Sequence, residues 1–145
     1  MTAHRNLRKP LGVAFATLAL AAASLAVVAN PAGAASKYQQ CSAGGDTLDT
    51  TVYYNSNGSY WFVESNSFTL NENSQDQNNV YMRLRNNGGA NTYFAWTSGD
   101  DIVGEQTYQI PVNENVPKSG SPYMKTNAIF DQSGSDPNCS TYANF

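Results

Sequence analysis

From Ala35 onward the chain has hardly any run of Ala, Leu, Glu and Lys that would support a helix. It carries instead fifteen Asn and thirteen Ser, whose short polar side chains compete with helical backbone hydrogen bonds and favour turns. That leaves all-β folds or disorder. Leu, Ile, Val and Phe together make up only 17 of these 111 residues, a composition close to that of disordered chains. Nine Tyr, five Phe and two Trp in the same span decide for a folded chain, because rings bury a large area per residue and the net charge is too small to force expansion. The expected core is built from rings.

The first 34 residues differ in kind. His4, Arg5, Arg8 and Lys9 form a basic start, Leu11 to Ala29 an apolar run, and Ala32-Gly33-Ala34 a small-residue cleavage site. This is the layout of a secretory signal peptide over 1–34, leaving a single secreted β domain over 35–145. An uncleaved anchor is the rival reading, since the apolar run nearly spans a bilayer. Arg5 and Arg8 are not adjacent, so a Sec-type route is simpler than a twin-arginine one. A lipid-bearing cysteine would follow the apolar run directly, whereas Cys41 lies well beyond Ala29. The mature protein is therefore expected outside the cell, unanchored and monomeric. The alanine-rich leader followed by a widely spaced cysteine pair resembles small exported bacterial proteins, a likeness without a diagnostic motif that implies no activity.

Charge and missing side chains exclude several chemistries. Three of the eight Lys and Arg lie in the leader and all eleven Asp and Glu lie after it, so residues 35–145 carry a net charge of −6. Nucleic acid and anionic membranes are poor partners for that balance. The one histidine, His4, is also in the leader. Serine and thiol hydrolysis thereby lose their usual base, and no Gly-x-Ser-x-Gly, Ser-x-x-Lys or phosphate-cradling glycine loop occurs. Cys41 and Cys139 have no second cysteine or histidine nearby, so a redox or metal site fails on spacing. In an oxidising compartment they are expected to pair. A loop this long contributes roughly 4 to 5 kcal/mol in the chain-entropy description.

Alternation of apolar and polar residues predicts about seven short antiparallel strands. In the Thr50 to Val63 segment a turn at Asn57-Gly58 sets Tyr54 against Trp61 and Val52 against Val63. In the Asn79 to Thr97 segment a three-residue loop ending at a left-handed Gly89 sets Met82 against Phe94 and Val80 against Trp96. That register gathers Val80, Met82, Leu84, Phe94 and Trp96 on one face and puts Tyr81, Arg83, Arg85 and Tyr93 on the other. Thr107 to Val112 alternates again, but Pro111 cannot donate to a ladder, so the strand is at an edge or bulged. Further strands are expected over Tyr123 to Phe130 and Thr141 to Phe145, with loops at Glu72 to Asn79 and Asn113 to Pro122. The pattern fits a small two-sheet β-sandwich, with a small β-barrel as the alternative.

Three functional classes compete within that fold. Sugar rings stack on aromatic faces while Arg and Asn bond their hydroxyls, so Tyr81, Arg83, Arg85, Asn91 and Tyr93 are the candidate surface for an extracellular glycan or a cell wall. Packing of Tyr and Arg on a solvated strand explains the same residues without a ligand. A second class is a secreted inhibitor or effector acting on another secreted or surface protein, with Lys118 presented by the Asn113 to Pro122 loop. A third is a carboxylate-type glycan hydrolase using Asp100, Asp101 and Glu105, with Glu64 as an outsider. These acids are also ordinary turn residues, and no Asp-x-Asp-x-Asp-Gly calcium loop is present. The leading expectation is a binding module with no cofactor, no metal and no catalytic activity. Intact mass of secreted material is expected to show a chain beginning near Ala35 that takes up no alkylating reagent before reduction; a species retaining Met1 would refute the cleavage.

Overall fold

The computed structural model describes residues 34–71 and 77–145. The leader ahead of Ala34 and residues 72–76 of the Glu72 to Asn79 loop lie outside the described residues. The described residues form eight strands: β1 (Ala35–Ala43), β2 (Asp46–Asn57), β3 (Tyr60–Asn71), β4 (Asn79–Arg85), β5 (Thr92–Thr97), β6 (Thr107–Pro117), β7 (Tyr123–Ile129) and β8 (Asn138–Asn144). They build two antiparallel four-stranded sheets, ordered β1-β2-β3-β6 and β5-β4-β7-β8, which pack face to face as a sandwich and do not close into a barrel.

Turn chemistry sets the pairing. Gly44 and Gly45 take positive φ values of 65° and 94°, which lets a two-residue turn join β1 to β2 with Ala43 opposite Asp46. β1 is the strand that sequence patterning missed. Its inward positions are Lys37, Gln39, Cys41 and Ala43, which carry almost no apolar signal. In the next hairpin the turn is Gly58-Ser59, not Asn57-Gly58, so Tyr54 lies opposite Val63 and Ser56 opposite Trp61. Next to the turn the shift is by two, which preserves which face each side chain occupies; a bulge at Glu64 then puts Val52 opposite Asn66 and not Val63. Tyr54 and Trp61 still meet diagonally, edge to face at 5.5 Å.

The second hairpin shows the same kind of correction. Met82 lies opposite Trp96 and Leu84 opposite Phe94, again two residues from the expected partners. The apolar face is as expected, and Gly89 has a φ of 70°. One residue changes sides. The register slips between Leu84 and Arg85, leaving Tyr93 as the extra residue of a bulge, and its ring packs on the core instead of facing out.

β6 is an edge strand and is also bulged, as Pro111 requires. Ser65 pairs with Pro111 and Val63 with Glu114, which leaves Val112 and Asn113 across from Glu64, with Asn113 at a φ of 54°. The expected loop from Asn113 is therefore strand as far as Pro117, followed by a short 3-10 turn over Lys118–Gly120.

The core is aliphatic, against the expectation of a core of rings. Leu48, Val52, Val63, Leu70, Val80, Met82, Leu84, Val116 and Met124 fill it, joined by Phe68 and Phe130. Sheets stacked about 10 Å apart leave room for these shapes, whereas Tyr and Trp carry polar tips that need water or a partner. Most rings accordingly sit around the rim. At one edge Phe68 stacks on Tyr108 at 5.0 Å and meets Trp96 at 6.0 Å, bridging β6, β3 and β5.

At the opposite edge, Cys41 of β1 and Cys139 of β8 form a disulfide with Cα atoms 5.9 Å apart. It joins the outermost strand of one sheet to that of the other. Buried polar contacts cross between the sheets, Thr50 to Thr141 at 3.1 Å and the Asn66 amide to the Thr126 hydroxyl at 2.7 Å and to Met82 Sδ at 3.5 Å. These fix how the sheets slide against each other, since a shifted pairing strands buried polar atoms. Replacing both cysteines by serine is expected to cost roughly 2 to 5 kcal/mol in denaturant unfolding. An unchanged midpoint would show that the edge is held without the bridge.

Candidate functional site

Strict alternation along β4 buries Val80, Met82 and Leu84 and turns Tyr81, Arg83 and Arg85 to the far side of the sheet. β7 likewise buries Met124, Thr126 and Ala128 and turns out Tyr123, Lys125 and Asn127. In β8, Thr141 and Ala143 face in, and Tyr142 and Asn144 face out. Antiparallel register then lines these outward residues into rows: Arg85, Tyr123 and Asn144 form one, and Arg83, Lys125 and Tyr142 the next. Arg85, Tyr123, Tyr142 and Asn144, with the β4–β5 turn residues Asn87, Gly88 and Gly89, enclose an open hollow of about 440 Å³. That volume lies within the usual range for small-ligand sites, roughly 300 to 1,000 Å³.

The side chains of this face are held to different degrees. Arg83 donates from Nη1 to the carbonyls of Met82, at 2.8 Å, and Trp96, at 3.1 Å. The Lys125 ammonium lies 5.6 Å from the centre of the Tyr142 ring, and Tyr142 is 48% exposed. The Tyr123 and Tyr142 rings stand 6.0 Å apart at 43° to each other, an open angle. Arg85 is half-buried and makes no hydrogen bond, ion pair or ring contact with any described residue; its Nε is fully covered.

Of the five residues singled out from sequence, Arg85 alone lines the hollow. Tyr81 and Arg83 share its face. Asn91 is exposed, and its backbone N–H bonds Asn86 Oδ1 at 2.9 Å to close the β4–β5 turn. Tyr93 belongs to the core side, through the bulge. Sequence reasoning missed Tyr123, Lys125, Tyr142 and Asn144. Alternation in β7 and β8 shows that they face one way, but joining them to Arg85 takes the β4–β7 pairing across about 40 residues of chain.

The other candidates are engaged elsewhere. The Lys118 ammonium bonds Ser56 Oγ at 2.6 Å and the Gly58 carbonyl at 2.8 Å, and it lies 4.2 Å from the centre of the Trp61 ring. A side chain so tethered to the β2–β3 turn is not presented to a protease. Asp100 accepts from the Asn79 amide at 2.6 Å, and Glu105, at a φ of 57°, donates its N–H to the Leu70 carbonyl at 2.6 Å. Glu64 sits apart in β3 and accepts from the Asn55 amide. Asp100 also borders a smaller hollow of about 130 Å³ with Asn79, Asp131 and Asp136. Among the described residues no group of three or more His, Cys, Asp or Glu side chains is placed to hold a metal.

The outer face of the other sheet differs in kind. Asp49 accepts from Tyr38, from the Gln40 amide at 2.7 Å and from Asn71, so its oxygens are occupied from within the sheet. The bond to Asp49 holds the Tyr38 phenol above the ordinary tyrosine value, because ionisation would forfeit that bond and bring two negative charges together.

The fold defines a disulfide-linked all-β sandwich domain. No protein-family model matches the sequence, and no curated protein matches it. Among solved structures, the variable (V) domain of the AgI/II polypeptide BspA from Streptococcus agalactiae is similar at 14% identity over 94% of this chain and 92% of that one, with a TM-score of 0.32. So distant a likeness supports neither fold nor function. Lys118→Met, which keeps the stem and removes the charge, is expected to lower stability by about 1 kcal/mol. A variant as stable as the parent would mean that this ammonium is free in solution.

Proposed function

We propose that this protein is a non-catalytic binding module, working as a secreted monomer outside the cell, that holds a glycan on the outer face of β5-β4-β7-β8. One observation carries this reading: a concave, strand-mounted surface presents two splayed tyrosine rings beside an arginine that has no partner among the described residues. Rings stack on the apolar faces of sugars, and Arg85, Asn87 and Asn144 are placed around them to bond hydroxyls. Strands hold such groups more rigidly than loops, which lowers the cost of ordering them on binding.

Neither rival reading has a comparable surface. Lys118, the contact residue expected of an inhibitory loop, is tethered, and the acidic side chains proposed for hydrolysis are spread over β3 and the β5–β6 connection. The disulfide fits an oxidising compartment. Titration of the mature protein with soluble polysaccharides and cell-wall fragments, followed by tyrosine and tryptophan fluorescence, is expected to give saturable binding. Tyr142→Ala is expected to weaken it at least about tenfold with little change in unfolding midpoint, since that ring is largely solvent-facing. Absence of binding to every polysaccharide and wall fraction would overturn the proposal.

A further inference from the structure

The sandwich is polarised by charge. Strands β4, β5, β7 and β8 contain no Asp or Glu and carry Arg83, Arg85 and Lys125, a net charge of +3. Strands β1, β2, β3 and β6 carry Lys37 against Asp46, Asp49, Glu64 and Glu114, a net charge of −3. Residues 35–145 are acidic overall, so a sheet without a single carboxylate runs against composition.

Stability does not ask for this arrangement. Arg83 lies directly opposite Lys125, one pair along from Arg85, and like charges across a strand pair repel. No carboxylate on these strands offsets them. Arg85 is the sharper case, since a half-buried guanidinium ordinarily finds a carboxylate, a carbonyl or a ring, and this one has none among the described residues. Local rules broken without a compensating contact are the mark of a functional position.

Resting on the glycan-binding reading above, we infer that the ligand is an acidic polysaccharide whose sugars bear carboxylates, with one carboxylate seated on the Arg85 guanidinium and its sugar ring against Tyr123 and Tyr142. The planar fork of an arginine matches a carboxylate's two oxygens. Arg83 and Lys125 extend the positive strip on the same face, so successive acidic sugars along one chain meet successive cations. A neutral glycan would offer Arg85 hydroxyl acceptors but leave its charge uncompensated, whereas a carboxylate supplies both acceptors and the opposite charge.

The test uses polygalacturonate, alginate and hyaluronan oligosaccharides, each beside its carboxyl-reduced form, which keeps the sugar chain and removes the charge. The parent protein is expected to bind at least one acidic form about tenfold or more tighter than its reduced counterpart, with affinity falling as salt rises. Arg85→Gln is expected to abolish that preference and Arg85→Lys to retain part of it, both with the parent's unfolding midpoint; Glu114→Gln, on β6 of the other sheet, is expected to leave the preference unchanged. Equal affinity for acidic and reduced forms overturns the inference and leaves glycan binding standing. No binding to either form of any chain, or to any neutral polysaccharide, overturns both. Tighter binding of a poly(glycerol phosphate) chain that displaces the polyuronates overturns the choice of carboxylate.

Discussion

The contact between two aliphatic sheet faces governs the rest of this molecule. A chain with so few large aliphatic residues cannot spare any, and Leu48, Val52, Val63, Leu70, Val80, Met82, Leu84 and Met124 are all spent on one interface. Every other side chain on these strands is thereby forced outward. The outer faces are a by-product of this alternation, and their composition is free to answer to something other than packing. The rim rings and the disulfide then seal the two open edges, where the sheets would otherwise admit water to the core.

Much of this was legible in the sequence because it depends on parity. Tyr54 in the first hairpin and Met82 in the second each pair two residues away from the expected partner and keep their faces, since a shift of two leaves the period-two pattern intact. Tyr93 shows where parity fails: a bulge adds one residue and moves a ring from outside to inside. β1 was illegible for a different reason. It is an edge strand whose inward side chains are Lys37, Gln39 and Cys41, so its strand character comes from pairing with β2 and not from its own pattern.

The candidate site was only half legible. Arg83 and Arg85 stand out in a single hairpin, but the rings that complete the hollow come from β7 and β8, and β7 joins β4 by a long-range pairing that no local signal announces. Asn91 and Tyr93 were drawn in by nearness in sequence and lie elsewhere in space. The expectation of a core of rings fails for a related reason, because the number of rings is no measure of their depth. Tyrosines with a hydroxyl to satisfy settle at boundaries, which places them where they can meet a ligand.

The bridge between β1 and β8 has one more consequence. Cys41 and Cys139 are 98 positions apart in sequence and directly linked in space. Tension applied at Ala35 and Phe145 therefore runs through six residues of β1, the sulfur bridge and the end of β8, and bypasses the chain between the cysteines. Roughly 330 Å of contour length stays out of the load path until the bridge is reduced. Arg85 and Tyr123 of the hollow belong to that shielded stretch and Tyr142 does not, so a pull along the polypeptide would strip the edge strands before it deformed β4 or the start of β7.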